Sequence, residues 1–270
     1  MQRGEIASYI LQRLVESGDA LSAQFADTSS RIGHFVLDDV LPADIARLIH
    51  NRFPPPERMV LNRTLREDKY IAAQMDRYDP LLEEALFAFQ DRRVLQQIER
   101  ITGIGDLEPD PALYAGGISV MVNDQFLNPH IDNSHDRNRE RWRALNALYY
   151  VSPEWRDDNG GHLELWPAGV SGKPLTLHSR FNRLVMMATH SKSWHSVSRI
   201  QGGGKRCCVS NYYFRRSAVR STDRFHVTTF RGRPEQPVRD LVLRIEGAAR
   251  GFIRRFFPRG IKTVTHLYRR

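Results

Sequence analysis

Cysteine is nearly absent: the chain of 270 residues has two, Cys207 and Cys208, side by side. Adjacent residues cannot build a disulfide framework, so two reduced thiols are expected, one turned to the core and one to the outer layer of a strand. No stretch approaches the roughly 18 to 20 uninterrupted apolar residues of a membrane span, and the opening MQRGEIASYILQRLVESGD lacks an apolar signal block. These absences predict a cytoplasmic protein. Internal repeats and low-complexity segments are missing, and with 41% hydrophobic residues the chain is neither disordered, collagen-like nor a coiled coil. Most of the chain also lacks a charge surplus. Of the net +9, residues 214–270 supply +11, from fourteen Arg and one Lys against four acids, and the remainder is near −2. The basic character is local to the tail.

What the chain does have is a change of hydrophobic period along its length. Residues 4–16 place Ile6, Ile10, Leu11 and Leu14 at helical spacing, and Asp19 to Asp27 reads as a connection. IGHFVLDDVLPADIARLIHNRF predicts a short strand, His34 to Leu37, a turn, and a helix entered at Leu41-Pro42, where proline suits the first turn. The next helical region, DPLLEEALFAFQDRRVLQQIERITGI, breaks at least once before Gly103. From Ala115 to about Phe214 the spacing becomes that of short strands: ISVMV, LNALYYV, GHLELWP, RLVMMA, WHSVSRI and RCCVSNYYF, divided by turn signals such as DDNGG and QGGGK. Helices followed by many short strands predict an α+β chain whose β part is a sandwich or barrel. The expected organisation is an N-terminal helix over 1–30, a principal domain over 31–216 with its β core at about 115–214, and a basic extension over 217–270.

His130 and Asp132 stand two apart in NPHIDN, so on extended backbone both side chains point to one face and offer two ligands to a divalent metal. With ten histidines in the chain such a pair arises readily by chance; a third ligand gives it weight. His195 opens a later strand-like run, and Arg206 follows eleven residues on. Two histidines and one carboxylate occupy one face of an Fe(II) octahedron and leave the other open for a chelating 2-oxo acid and oxygen. The second carboxylate of such a 2-oxo acid lies away from the metal, where a buried Arg can hold it through two charge-assisted hydrogen bonds. Arg206, on the strand after the one bearing His195, is placed for that.

Taken in order, H-I-D, N-A-L-Y-Y-V-S-P-E-W, G-G-H-L-E-L-W-P, N-R-L-V-M-M, W-H-S-V and R-C-C-V-S-N-Y-Y-F resemble the Fe(II)/2-oxoglutarate-dependent dioxygenase superfamily, in its prolyl-4-hydroxylase-like branch. The segment FVLDDVLPADIARLI extends the resemblance, which covers about Phe35 to Phe214. It implies a double-stranded β-helix (jelly-roll, cupin-like) core with N-terminal supporting helices and a C-terminal helical tail. It also implies Fe(II), 2-oxoglutarate as co-substrate and O2. Residue by residue, His130, Asp132 and His195 match the iron triad, and Arg206 matches the residue on the distal carboxylate of 2-oxoglutarate. Tyr150 matches a tyrosine that bonds the same carboxylate, and alternation puts Asn146 on its face as a further co-substrate contact. His190 is a rival for the distal ligand but lacks the hydrophobic alternation that follows His195, while His162 and Trp166 receive no role. The iron centre carries the catalysis, with no separate protein acid or base. Related halogenases carry a small residue in place of Asp132, so its presence favours hydroxylation.

The chain departs from the branch in the long charged loop NSHDRNRERWR and in a Gly-rich piece between His195 and Arg206. Both fall where the branch meets its substrate, which makes Asn133, His135, Arg137 and Arg141 candidates for substrate contact. ITGIGDLEPDPALYAGGI and GGHLELWP resemble bacterial relatives, pointing to small molecules or glycans. The expected activity is hydroxylation of an unactivated C–H bond in a small molecule or saccharide, with release of succinate and CO2; an anionic one would suit the loop's cations. Protein prolyl hydroxylation is the alternative, and a catalytically idle β-helix that only binds is the alternative of another class. No aromatic-basic stacking pattern accompanies the His-x-Asp loop, which argues against nucleic acid. In the tail, Leu241, Val242, Ile245, Ala248, Ala249, Phe252, Ile253 and Phe256 gather on one helical face with Arg239, Arg250, Arg254 and Arg255 away from its centre. Such a helix packs its apolar face on the core, or lies on an anionic membrane surface, or meets a phosphate-bearing partner. Oligomeric state is left open.

Overall fold

The computed structural model describes residues 1–114, 116–256 and Tyr268. Its first third is helical, with α1 (Arg3–Glu16), α2 (Gly18–Thr28), α3 (Ala43–Asn51), α4 (Pro80–Ala88) and α5 (Arg92–Thr102). Between these run β1 (His34–Leu37), β2 (Val60–Arg63) and β3 (Glu67–Ala72). The body continues through β4 (Gly117–Met121), β5 (Phe126–Ile131), β6 (Trp142–Tyr150), β7 (Leu163–Leu165), β8 (Leu175–Leu177), β9 (Arg183–Ala188), β10 (His195–Val197), β11 (Arg206–Arg215) and β12 (Thr229–Phe230). Helix α6 (Pro237–Phe256) comes last.

Local chemistry sets the helix ends. The carboxylates of Asp79 and Asp91 accept hydrogen bonds from the backbone N–H of Leu81 and Arg93, capping α4 and α5. Pro80 opens α4, and Gly103, at a left-handed φ of 69°, ends α5. The stretch Asp19–Asp27, expected as a connection, is instead most of α2. Only Leu21 and Phe25 anchor that helix, four apart on the face that meets β1 and α5. Two apolar anchors are too few for periodicity to reveal; tertiary packing supplies the stabilisation instead.

Among the described residues, twelve strands join one sheet in the order β1-β9-β6-β11-β4-β3-β5-β10-β7-β8, with β12 on β5 and β2 on β3. Every pairing is antiparallel. Asn146 of β6 nevertheless hydrogen-bonds Asp132, just past the end of β5 and four strands away in that order, so the sheet is curled on itself. The result is a double-stranded β-helix. On β6 and β11 the register pairs Tyr150 with Cys208 and Asn146 with Tyr212, placing the even-numbered residues on the concave side. The odd-numbered Leu145, Ala147, Tyr149, Cys207, Val209 and Tyr213 enter the core shared with α1, α4 and α5. The two thiols therefore part, Cys207 to that core and Cys208 to the cavity side, both buried. Burial pushes the Cys207 thiol up to about 12, which suits an inert side chain.

Asn182 ties the two layers together. It adopts a left-handed φ of 59°, its side chain bonds both the N–H and the C=O of Leu41, and its Oδ1 accepts the hydroxyl of Tyr149 at 2.7 Å. Asn182→Ala leaves three buried groups without partners and places a Cβ residue less tolerant of positive φ there. About 3 kcal/mol of stability should be lost, read as a Tm drop of roughly 6 to 12 °C at this chain size.

Helix α6 forms where the tail was expected to be helical, but its orientation differs from a simple docking of the apolar face. Leu243 is buried and Gly247 approaches Thr229, while Val238, Leu241, Val242 and Ile245 are exposed, Ile245 by 64%. Salt bridges hold the helix instead: Asp240 to Arg231, and Glu246 to Arg66 in the turn before β3. The side chains of Ile253, Arg254, Arg255 and Phe256 lie outside the described residues. Among the described residues no helix is long and apolar enough to cross a membrane.

Candidate metal centre and its cavity

Antiparallel pairing of β10 with β5 sets His195 directly opposite His130, and β5 ends one residue before Asp132. The donor atoms of the three side chains lie within 4.8 Å of one another, and each residue is at most 9% exposed. Each imidazole Nδ1 lies 3.0 Å from a backbone carbonyl, Asn128 for His130 and Ser193 for His195. A carbonyl only accepts, so each Nδ1 carries the proton and each Nε2 presents a lone pair to the centre of the cluster. Both Nε2 atoms stand 3.7 Å from a carboxylate oxygen of Asp132. Burial, reinforced by His195, lowers His130 to about 3 and keeps it neutral. Burial alone would raise Asp132, but Arg143 together with the two imidazoles and the Asn146 hydrogen bond holds its carboxyl well below the usual carboxylate range. Two imidazoles with Nε2 turned to the cluster and one carboxylate, converging on one point, fit a divalent cation.

Arg143 was not singled out from the sequence. Its guanidinium lies 3.3 Å from Asp132, donates to Asn133 and stacks on Tyr212. A register shift between Tyr213 and Phe214 faces it, and bulges re-aim side chains in ways that simple alternation does not foresee. Phe230 was also unforeseen: β12 pairs it with His130, and its ring stacks on that imidazole at 5.0 Å. Asn146, expected against the co-substrate, spends its amide N–H on Asp132 at 2.8 Å and leaves its buried Oδ1 without a partner. Asn146→Ala should therefore weaken Mn(II) binding by about tenfold or more, the usual cost of losing a group that orients a ligand. A Mn(II) titration followed by electron paramagnetic resonance reads it; an unchanged affinity would remove Asn146 from that role.

The triad lines a cavity of about 760 Å³. Arg206 reaches the same cavity from β11 with 3% exposure, and among the described residues no carboxylate pairs with it. It donates to Ser179 Oγ at 3.3 Å and lies over the ring of Tyr150, whose buried hydroxyl has no hydrogen-bond partner. A buried cation beside an orphaned hydroxyl fits an anion. Gly161, at φ +68°, allows this: a Cβ there would fall 2.8 Å from Cδ of Arg206. His190 lies apart from the triad. Its Nδ1 accepts the N–H of Lys192, its Nε2 is buried without a partner, and burial with Arg220 lowers it to about 4.

The loop candidates divide. Asn133, His135 and Arg137 line the cavity. Arg141 is not among its lining residues and pairs with Asp136 and Glu108. His162 accepts the N–H of Ser179, and Trp166 donates to Ser196, so both brace neighbouring segments. The tail contributes Phe225, His226, Val227, Thr228, Phe230 and Arg250 to the wall, and the turn before β3 contributes Arg66. Among the described residues, seven Arg and Lys side chains line the cavity against the carboxylates of Glu67, Asp132 and Asp136.

Residues 116–214 match the model of the 2OG-Fe(II) oxygenase superfamily. A curated relative, prolyl 3-hydroxylase OGFOD1 of Xenopus laevis, is 36% identical over 84 residues, which is 29% of this chain and only 16% of that protein's length. Among solved structures, a prolyl-4-hydroxylase of Pseudomonas putida superposes with a TM-score of 0.55 at 20% identity, over 73% of this chain and all of the other. A Trichoplax adhaerens prolyl hydroxylase in complex with a hypoxia inducible factor peptide fragment gives 0.50 at 19% identity, over 74% and 91%. At these identities the two structures share the fold of the chain.

Proposed function

We propose, from the match of residues 116–214 to the 2OG-Fe(II) oxygenase superfamily and from the converging His-Asp-His cluster, that the chain is an Fe(II)- and 2-oxoglutarate-dependent dioxygenase that hydroxylates an unactivated C–H bond of a small molecule or saccharide. The observation that carries the reading is the coexistence, in one cavity, of a converging His-Asp-His cluster and a buried arginine that has no carboxylate partner among the described residues. His130 Nε2, His195 Nε2 and the Asp132 carboxylate would hold the metal. Bound Fe(II) with 2-oxoglutarate and O2 supplies the oxidant that breaks the C–H bond, with succinate and CO2 released.

The protein's own work is placement. Arg206 holds the distal carboxylate of 2-oxoglutarate through charge-assisted hydrogen bonds, and the Tyr150 hydroxyl donates to the same group. Arg143 and Asn146 fix the Asp132 carboxylate, and Phe230 keeps the His130 ring from turning. Leu127, Leu163 and Val197 line the cavity with apolar surface that limits water. Asp132 fills the position that would have to be small to admit a halide, which supports hydroxylation.

The cavity's size falls in the range of small-molecule sites, roughly 300–1,000 Å³, which supports a small molecule or saccharide ahead of a folded protein. A prolyl side chain of a protein is the second reading, favoured by the 36% identity to a prolyl 3-hydroxylase. Succinate release, screened across sugars, small metabolites and proline-containing peptides, tests the two. Turnover with peptides alone would overturn the small-molecule reading, and protein that forms no chelate when titrated with Fe(II) and 2-oxoglutarate would favour an idle β-helix.

A further inference from the structure

We propose that Arg66 and Arg250 form an anion subsite at the cavity wall that binds a phosphate group carried by the substrate. The inference rests on the hydroxylase reading and deepens it, since it names the substrate class that the same cavity would take. Arg66 lies in the turn before β3 and Arg250 on α6, nearly two hundred residues apart, and both line the cavity that holds the triad. One carboxylate serves the two guanidinia: Glu246 pairs with Arg66 and lies 3.8 Å from Arg250 Nε, too far to hydrogen-bond. Nε and one terminal nitrogen of Arg250 are buried and make no hydrogen bond. Such donors are costly to bury empty. Burial and then the neighbouring Arg66 lower Arg250 to about 10, the response of a cation short of counter-charge.

The surroundings add to the deficit of negative charge. Lys69, also on the wall, is already matched by Glu67 at 2.9 Å, and the third nearby carboxylate, Asp132, belongs to the metal cluster. A single carboxylate ligand would be satisfied by one bidentate guanidinium. Two guanidinia arriving from separate elements, with one acid between them, suit a dianionic group with three free oxygens, which is a phosphate monoester. Phe230 links the subsite to the reacting centre: its ring stacks on His130 and also lies 5.8 Å from the Arg66 guanidinium. A substrate held by its phosphate at Arg66 and Arg250 would therefore extend along Phe230 toward the metal.

The test uses the full chain loaded with Mn(II) and saturated with 2-oxoglutarate, which blocks Arg206 as an alternative anion site. Inorganic phosphate is titrated at constant ionic strength while the relaxation of its phosphorus nucleus is followed, with Zn(II)-loaded protein as the diamagnetic reference. Wild type should show saturable, Mn(II)-enhanced relaxation. Arg66→Gln and Arg250→Gln should each weaken phosphate binding by about tenfold, the scale of one charge-assisted hydrogen-bond set. Arg239→Gln, on the same helix but over the ring of Phe126 outside the cavity, should leave it unchanged. Glu246→Gln should tighten binding several-fold, an effect that misfolding cannot produce. Unaltered binding in both arginine variants, weaker binding in Glu246→Gln, or acetate competing as well as phosphate would overturn the subsite. Wild type that forms the Fe(II) and 2-oxoglutarate chelate but gives no saturable phosphate effect defeats the subsite alone; wild type that forms no chelate defeats the hydroxylase reading beneath it.

Discussion

Asp132→Ala protein, titrated anaerobically with Fe(II) and 2-oxoglutarate, should show no visible charge-transfer band and no succinate release above background. The carboxylate is the single anionic member of the cluster, and both imidazole Nε2 atoms stand 3.7 Å from it. Its removal leaves two imidazoles for a dication. It also leaves Arg143, a buried guanidinium 3.3 Å away, as an uncompensated positive charge beside the metal position. Metal affinity should fall by more than the about hundredfold that loss of a merely orienting partner can cost. Because Asp132 is ionised in the fold and paired with Arg143, the variant should also lose stability, so the metal readout needs folded protein confirmed by circular dichroism. His130→Ala should lose the band too. A folded Asp132→Ala variant with full turnover would sink the ligand assignment.

Arg206→Ala should keep its metal and lose its co-substrate. Removing one partner of a buried charge pair costs about 3–5 kcal/mol, so the dissociation constant of 2-oxoglutarate should rise by about two to four orders of magnitude. The chelate band should reappear at high 2-oxoglutarate, since the 2-oxo acid end still meets the iron. Arg206→Lys should recover only part of the affinity, because an ammonium carries the charge without the planar fork. The distinguishing readout is stability. In the free protein Arg206 faces no carboxylate among the described residues, so its removal should leave Tm without the drop expected when a structural ion pair is broken. A Tm loss comparable to that of Asn182→Ala, with unchanged 2-oxoglutarate affinity, would make Arg206 structural.

Asp132 and Arg206 are legible from the linear sequence, whereas the places of Arg143 and Arg250 in the cavity are not. His130, Asp132, His195 and Arg206 belong to short motifs whose spacing carries chemistry, and the structure brings all four to one cavity. Tyr150 follows from strand alternation, and its orphaned hydroxyl stands beside Arg206. Asn146 shares that face as expected but meets Asp132, because the curl of the sheet brings the end of β5 over β6. Arg141 and Arg143 look alike in RERWR, yet one pairs with Asp136 and Glu108 and the other with Asp132. Nothing in charge or spacing separates them; the end of the strand does, since Arg143 lies within β6 and Arg141 just before it.

The sequence by itself determined the helical start, the change to short strands, and the His-x-Asp, His and Arg motifs whose side chains share one cavity. These are local properties, set by periodicity of two or 3.6 residues and by donor chemistry. Only the tertiary structure decided that α2 is a helix, that α6 turns Leu241 and Ile245 outward, and that Phe230 and Arg250 of the tail wall the cavity. Each of those depends on contacts between segments far apart in the chain, and side-chain period says which residues share a face but not which face finds a partner. On α6 Asp240 meets Arg231 and Glu246 meets Arg66, while Leu241 and Ile245 stay exposed.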